Sequence, residues 1–265
     1  MQASGVITIT TDFGHKGPFA AVMKGVIISR FPNARIIDLT HDIPAQWPPE
    51  AGFWVSHAYR FFPQGTVHLA IVDPGVGTER DILIVEHDQH FFMAPDNGLL
   101  ARMLDESDSA SVFKLDIDAL CRLDIFCPSM TFHGRDIFAP VAAELAARRT
   151  TPVAIGKPVY DWVPAWLDDA ELSGKTATGV IVTVDTFGNL ISNIEAGMLE
   201  GMQNPVVRIG GRDIPMLPTY GRASPGDFLA LINSFGVLEV AKAEGNAAES
   251  IGADRGAPVV VTDTG

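Results

Sequence analysis

Apolar residues in the first half of the chain alternate between short β-branched runs and stretches at helical spacing. GVITITT opens as a strand and exits through Asp12, Phe13 and Gly14. KGPFAAVMKGVIISRF (16–31) then carries apolar residues at helical period. ARIIDLTHDIP (34–44) reads as a second short buried strand. EAGFWVSHAYRFF (50–62) reads as a helix with Phe53, Ala58, Phe61 and Phe62 on or near one face. VHLAIVDPGVGTER (67–80) is a buried strand running into a Gly/Pro turn. ILIVEH and HFFMAP form a hairpin, followed by a turn and a helix in PDNGLLARML, and SVFKLDI (111–117) is a further strand. An Ala-rich helix follows in SMTFHGRDIFAPVAAELAARR (129–149). Strands alternating with helices predict an α/β domain with a central, mainly parallel sheet.

Beyond this point the period changes. Residues 151–175 carry prolines and glycines with no sustained period and read as a linker crossing the surface. TATGVIVTVDTFGNLISNI, VVRIGGRDI, DFLALINSFGVLEVAKAEG and APVVVTDTG are short strands between glycine turns, the pattern of a smaller all-β, barrel-like domain. The expected organisation is an α/β domain over 1–160, a linker over 161–175 and a β domain over 176–265.

Composition narrows the classes. The 265 residues are 47% hydrophobic and 19% charged, with 19 basic and 32 acidic side chains for a net charge of −13. Affinity for nucleic acid rests largely on neutralising phosphates, so so acidic a chain is expected to have no nucleic-acid partner. No apolar run approaches the ~20 residues of a membrane helix, and MQASGVITIT lacks the basic and apolar regions of a signal peptide. A cytoplasmic protein without a membrane partner is expected. Cys121 and Cys127 are spaced C-x5-C, which matches no common zinc pattern, and read as free thiols in a reducing compartment.

Candidate chemistry sits where strands end. Asp73 leaves a buried strand, where a carboxylate costs solvation energy unless it has a partner or a use, and Arg80 follows seven residues later. Asp12 is either a helix cap or a carboxylate placed to accept two hydroxyl hydrogen bonds, as from a ribose. Asp38, Thr40, His41 and Asp42 close the second strand. Trp47, in a proline-flanked loop, is either a packing anchor or a stacking platform, and Asp96-Asn97-Gly98 reads as a turn. His133 and Asp136 bracket Gly134 and Arg135 at a helix start, where free backbone N–H groups suit ligand contact. In the β half, Asp185–Asn189 and Asn233–Gly236 are hairpin turns or, alternatively, readers of a base edge or an amino-acid head group.

Taken in order, TTDFG, THDIP, VDPGVGTER, PDNGLL, TFHGRDIFAP, DTFGNLISNI and INSFGVLEVAKAEGNAAE resemble the S-adenosylmethionine hydroxide adenosyltransferase family over nearly the whole chain. Fluorinase and chlorinase enzymes are its relatives. The resemblance implies S-adenosyl-L-methionine as a small-molecule substrate, with water or hydroxide attacking the ribose C5′ to give adenosine and L-methionine. It also implies no cofactor or metal, and a homotrimer with sites at subunit interfaces. The water-using branch carries an Asp, an Arg and a His that match Asp73, Arg80 and His133. The halide-using branch has Tyr, Tyr and Ser at the matches of Asp73, His133 and Gly134. By the same resemblance Asp12 holds the ribose hydroxyls, and Trp47 packs near the ribose and sulfonium. Asp185 and Ser234 hold the methionine part, and Asn189 and Tyr220 flank the adenine. Phe13, Asn233 and Glu239 complete the expected substrate-binding set. Two positions depart from the fluorinase pattern, with Phe235 and Lys242 where arginines stand there.

The residues alone leave two other readings open. Asp12, Asp38, His41, Asp73, Asp96 and His133 are oxygen and nitrogen donors of the kind that hold a divalent metal in a phosphoesterase or hydrolase. A non-catalytic S-adenosylmethionine- or adenosine-binding protein would use the same scaffold.

Overall fold

A computed structural model describes residues 1–125 and 128–265, so Cys127 lies outside the described residues, while Cys121 is an exposed free thiol. The chain divides into two compact units, Met1–Trp166 and Leu167–Gly265.

The first unit is built on a seven-stranded sheet. Its strands are β1 (Val6–Thr11), β2 (Arg35–Thr40), β3 (Val67–Ile71), β4 (Ile82–His87), β5 (His90–Pro95), β6 (Ser111–Leu115) and β7 (Gly156–Pro158), in the order β2-β1-β3-β5-β4-β6-β7. The sheet is mixed. β2, β1, β3 and β5 are mutually parallel, whereas β5-β4-β6-β7 pair antiparallel. The parallel character therefore covers only half of the expected mainly parallel sheet. The hairpin is the cause: Asp88 and Gln89 both adopt positive φ (44° and 64°), the two-residue turn that returns β5 alongside β4.

β1 and β3 are buried along their whole length, as central parallel strands covered on both faces must be. On one face Ile7, Ile9, Leu69 and Ile71 pack against Met23 and Ile27 of α1 (Phe19–Arg30) and against the helix that follows His133. The opposite face packs Ala70 and Val72 against Ala51 and Val55 of α2 (Pro48–Ala58). β2 lies at the sheet edge and leaves Ile37 exposed, so its expected burial is corrected. Phe61 is also turned outward, at 75% exposed, because the helix tightens to a 3-10 turn over Tyr59–Phe61 and shifts its facing residues.

The stretch expected as a featureless linker carries structure. A short helix (Pro152–Ile155) leads into β7 on β6, and the Trp166 indole donates to Asn97 O at 2.8 Å. β8 (Glu171–Ser173) then pairs with β9 (Thr176–Val184).

The second unit adds β10 (Leu190–Glu195), β11 (Pro205–Ile209), β12 (Arg212–Pro215), β13 (Phe228–Ile232), β14 (Val237–Lys242) and β15 (Pro258–Asp263). These run antiparallel in the order β12-β11-β15-β9-β10-β14-β13. The two ends of the sheet approach each other through a bridge between Met216 and Ala230, with Leu217 N donating to Ala230 O at 2.8 Å. The sheet is thus nearly closed and barrel-like around Ile181, Leu190, Val207, Leu238 and Val261.

Because β3 carries the acid Asp73 at its exit, its anchoring is a stability question. Leu69 is fully buried, and Leu69→Ala is expected to cost about 2–5 kcal/mol. A urea midpoint within error of the wild type's would contradict this packing.

Candidate active site

β1 and β3 are parallel neighbours, with Thr11 opposite Ile71, so Asp12 and Asp73 leave the sheet at the same edge. The chain goes from β1 to β2 on one side and returns to β3 on the other. That reversal opens a crevice beyond the carboxyl ends of the strands. A cavity of about 230 Å³ occupies it, lined by Asp12, Phe13, Gln46, Asp73, Val76 and His133 among others.

Asp73 reaches Arg80 because the intervening loop folds back on itself. Val76 N donates to Asp73 O, and both Thr78 N and Thr78 Oγ1 donate to Gly75 O. Arg80 Nε donates to both carboxylate oxygens of Asp73 at 3.0 Å, and Arg80 Nη2 also contacts Oδ2. The side chains are only 6% and 11% exposed. Removing one partner would strand a largely desolvated charge, a loss of about 3–5 kcal/mol in comparable pairs. The same Nη2 lies 2.9 Å from His133 Nδ1. A guanidinium only donates, so His133 Nδ1 is the acceptor and the ring's proton sits on Nε2.

Burial, and then the Arg80 charge, push His133 below its ordinary value, while Asp73 and Asp136 pull the other way. His133 is therefore neutral at neutral pH, and its Nε2–H is a donor. Phe138, fully buried, places its ring 5.8 Å from the Arg80 guanidinium carbon and supports it from behind.

The Ala-rich helix expected just after the His133–Asp136 cluster is entered through an unusual turn. Gly134–Phe138 form a π-helical turn before the α-helix Ala139–Ala146. Such wide turns recur at functional sites, and the residue leading into this one bears a candidate side chain. Here that side chain is His133. Asp12 Oδ2 accepts from Gln46 N at 2.9 Å. Gln46 holds a left-handed φ of 61°, and nothing in the string AQWPP marks it. Asn97, read as part of a turn, donates from Nδ2 to Val72 O at 2.8 Å and so pins the residue before Asp73. The D-N-G signal could have identified that role.

Other expected residues have different neighbours. Phe13 reaches the cavity while also packing on Phe19 and Phe132. Trp47 stacks edge-to-face on Trp166, 5.9 Å between centroids, and is not among the residues lining the cavity. Of the six donors considered for a metal, Asp12, Asp73 and His133 line one cavity, while Asp38 with His41, and Asp96, have other partners. Asp38 contacts Lys24 and His41, Asp96 accepts from Val163 N, and Asp73 is held by Arg80. Among the described residues, no three His, Cys, Asp or Glu side chains form a group that could hold a metal ion.

In the second unit the expected residues fall into two linked sets. Tyr220 OH donates to Glu239 Oε1, and Asn233 Nδ2 donates to Glu239 Oε2 at 3.2 Å. Glu239 is 3% exposed on β14, so both its oxygens are claimed by these neighbours. Burial and the Glu239 carboxylate raise the Tyr220 phenol above its ordinary range. Asp185 accepts from Phe187 N, Asn189 N and Asn189 Nδ2 at 2.8–3.0 Å, which closes the β9–β10 turn. Ser234 is exposed beside Asn233. Lys242 donates to Ser250 Oγ at 2.9 Å and lies over the Phe228 ring.

A half-buried Asp–Arg–His contact over a crevice in an α/β unit, followed by a nearly closed β unit carrying a second polar cluster, defines a two-domain protein of the kind that acts on a small molecule. Residues 7–156 match the N-terminal domain of the SAM hydroxide adenosyltransferases and residues 179–260 match their C-terminal domain. The chain belongs to the S-adenosylmethionine hydroxide adenosyltransferase family. It is 36% identical to the (R)-S-adenosyl-L-methionine hydrolase of Thermus thermophilus, over 94% of this chain and 96% of the relative. It is 27% identical to a fluorinase of an Actinoplanes species, over 91% and 93%. A crystal structure of an uncharacterized conserved protein from Thermotoga maritima superposes with a TM-score of 0.87 at 30% identity, covering 97% of this chain and 99% of that one.

The His133 geometry sets a pH dependence. Protonation would take away the lone pair that accepts from Arg80 and put two cations side by side. The competent, neutral form is therefore present above the ordinary histidine value of 6.5 and persists below it, because the folded value is lowered. The acid limb of kcat/KM should have its midpoint below 6.5 and be absent in His133→Gln. A midpoint above 6.5 would contradict the assignment.

Proposed function

We propose that this chain is an S-adenosyl-L-methionine hydrolase that releases adenosine and L-methionine. The observation that carries the reading is the contact of Asp73, Arg80 and His133 at the cavity that Asp12 also lines. The Thermus thermophilus relative, named (R)-S-adenosyl-L-methionine hydrolase, supports it, and we propose that this chain likewise takes the (R) form, read as the configuration at sulfur.

The chemistry asks little of a catalyst on the leaving-group side. Water attacks C5′ opposite the sulfur, the C5′–O bond forms as the C5′–S bond breaks, and sulfur keeps the electron pair. The product thioether is neutral and needs no general acid. Orientation and activation of the water are what the protein supplies. His133 Nε2–H holds the water oxygen, Arg80 favours developing hydroxide character with a permanent charge, and the Asp73 carboxylate takes the proton and passes it to solvent. Asp12 accepts from the two ribose hydroxyls. Trp47 packs near the sugar and sulfonium. Asp185 and Ser234 hold the methionine part, Asn189 and Tyr220 flank the adenine, and Asn233 and Glu239 complete the substrate-binding set.

The sulfonium is its own activated leaving group, so the reaction calls for no metal or cofactor. We propose a cytoplasmic homotrimer, in which the first unit of one subunit and the second unit of its neighbour face a single substrate. The family resemblance supports the trimer. Among the described residues no helix is long and apolar enough to cross a membrane.

Incubation with a mixture of sulfonium epimers, with and without chelator and chloride, tests the reading. Adenosine should form in every condition, with depletion of the (R) epimer. Tight binding without adenosine would favour a binding protein, loss on chelation a metal hydrolase, and 5′-chloro-adenosine the halide-using branch. Asp73→Ala and His133→Ala are each expected to lose most turnover, about 100-fold or more, while still binding substrate. Wild-type-like turnover in either would sink their assignment.

A further inference from the structure

The two halves of the nucleophile site come from loops far apart in the chain. Residues 73–80 bring Asp73 and Arg80, and residues 128–133 bring His133. Their backbones meet at one point. Gly77 has φ +80°, and a Cβ added there would lie 2.1 Å from the Met130 carbonyl oxygen and 3.1 Å from its carbon. No side chain fits, and the backbone conformation itself favours glycine.

The Met130 side of this seam is held from the next helical turn. Asp136 Oδ2 accepts from Ser129 N at 2.9 Å and from Ser129 Oγ at 2.6 Å. The guanidinium of Arg135 closes on the same carboxylate, at 2.5 Å from Nε to Oδ1 and 2.9 Å from Nη2 to Oδ2, and lies over the Phe132 ring. These contacts keep Asp136 ionised, at about 2. Neither Gly77 nor Ser129 nor Asp136 is among the residues lining the cavity.

We propose that Gly77 and the Asp136–Ser129 clasp are positioning elements that fix the Arg80–His133 contact, and through it the tautomer that presents Nε2–H to the attacking water. The proposal rests on the hydrolase reading for its kinetic consequence, though not for its geometry. At 2.9 Å, Arg80 Nη2 and His133 Nδ1 are in hydrogen-bond register. A side chain at Gly77 pushes the two loops apart by more than that register tolerates. Loss of the clasp lets Met130 drift and has the same result.

The groups facing His133 are Arg80 and Asp73 from the first loop and Asp136 from its own turn, with Asp12 across the cavity. They give the test its sign. If Arg80 moves away, a cation that opposes charging is lost and His133 titrates higher, toward 6.5. If Asp136 acted only through its charge, its removal would make His133 titrate lower, because that charge favours the imidazolium.

Gly77→Ala, Ser129→Ala and Asp136→Asn can be compared with the wild type by steady-state kinetics, by thermal melting, and by NMR titration of the His133 ring, assigned with His133→Gln. In folded variants kcat should fall about 10- to 100-fold for Gly77→Ala and less for Ser129→Ala, the scale of an ångström-sized misplacement. KM should change little, and the His133 midpoint should rise in each. A folded Gly77→Ala or Ser129→Ala with wild-type kcat and titration overturns the proposal, as does a change confined to KM. Should Gly77→Ala not fold, Asp136→Asn decides: a raised midpoint with reduced kcat supports positioning, and a lowered or unchanged one overturns it. If wild-type protein releases no adenosine, the hydrolase reading fails, while the NMR titration still decides the seam.

Discussion

The Arg80 guanidinium is the hub of the first unit's chemistry. It is a permanent cation held almost out of water, and a cation in that position must be met by a carboxylate. Asp73 meets it with both oxygens, and Nη2 also donates to His133. One consequence is stability, since neither charge tolerates the loss of the other. Another is electronic. Burial and then the same cation that neutralises Asp73 keep the imidazole uncharged, and that cation decides which ring nitrogen carries the proton.

That decision separates two roles that a list of residues merges. An Asp and a His at one site both look like bases. With Nδ1 accepting from Arg80, His133 presents Nε2–H as a donor, and in the proposed mechanism it orients the water while Asp73 accepts the proton. The sheet makes this economical. The ends of two adjacent parallel strands supply Asp12 and Asp73 to one cavity, so the proposed sugar anchor and nucleophile centre sit together.

In the second unit, polar residues that could serve a ligand also serve the fold. Asp185 closes its own hairpin, and Glu239 is bound by Tyr220 and Asn233 on a buried strand. Each is thereby pre-oriented, and ordering it again on binding costs little entropy. The set joins Tyr220 from a 3-10 turn, Asn233 from a hairpin turn and Glu239 from a strand, with the Asn233–Glu239 proximity set by the register of β13 on β14.

Local pattern was enough for much of this. Alternation of β-branched runs with helical spacing marked the α/β half, and short strands between glycines marked the β half. Acids at strand exits marked Asp12 and Asp73, because polar groups at the end of a buried strand need a purpose. Three things depended on long-range contact. The mixed sheet order and the exposure of β2 follow from which strand edges found partners, which strand composition does not encode. The π-helical turn behind His133 and the left-handed Gln46 are backbone states imposed by packing, in strings with no local signature for them. The tautomer of His133 depends on a hydrogen bond spanning 53 residues. By itself the sequence determined the two-part fold class and the residue types of the site. Only the tertiary structure decided which nitrogen of His133 faces Arg80, because hydrogen-bond direction is a property of atoms brought together from distant loops and not of the residues that carry them.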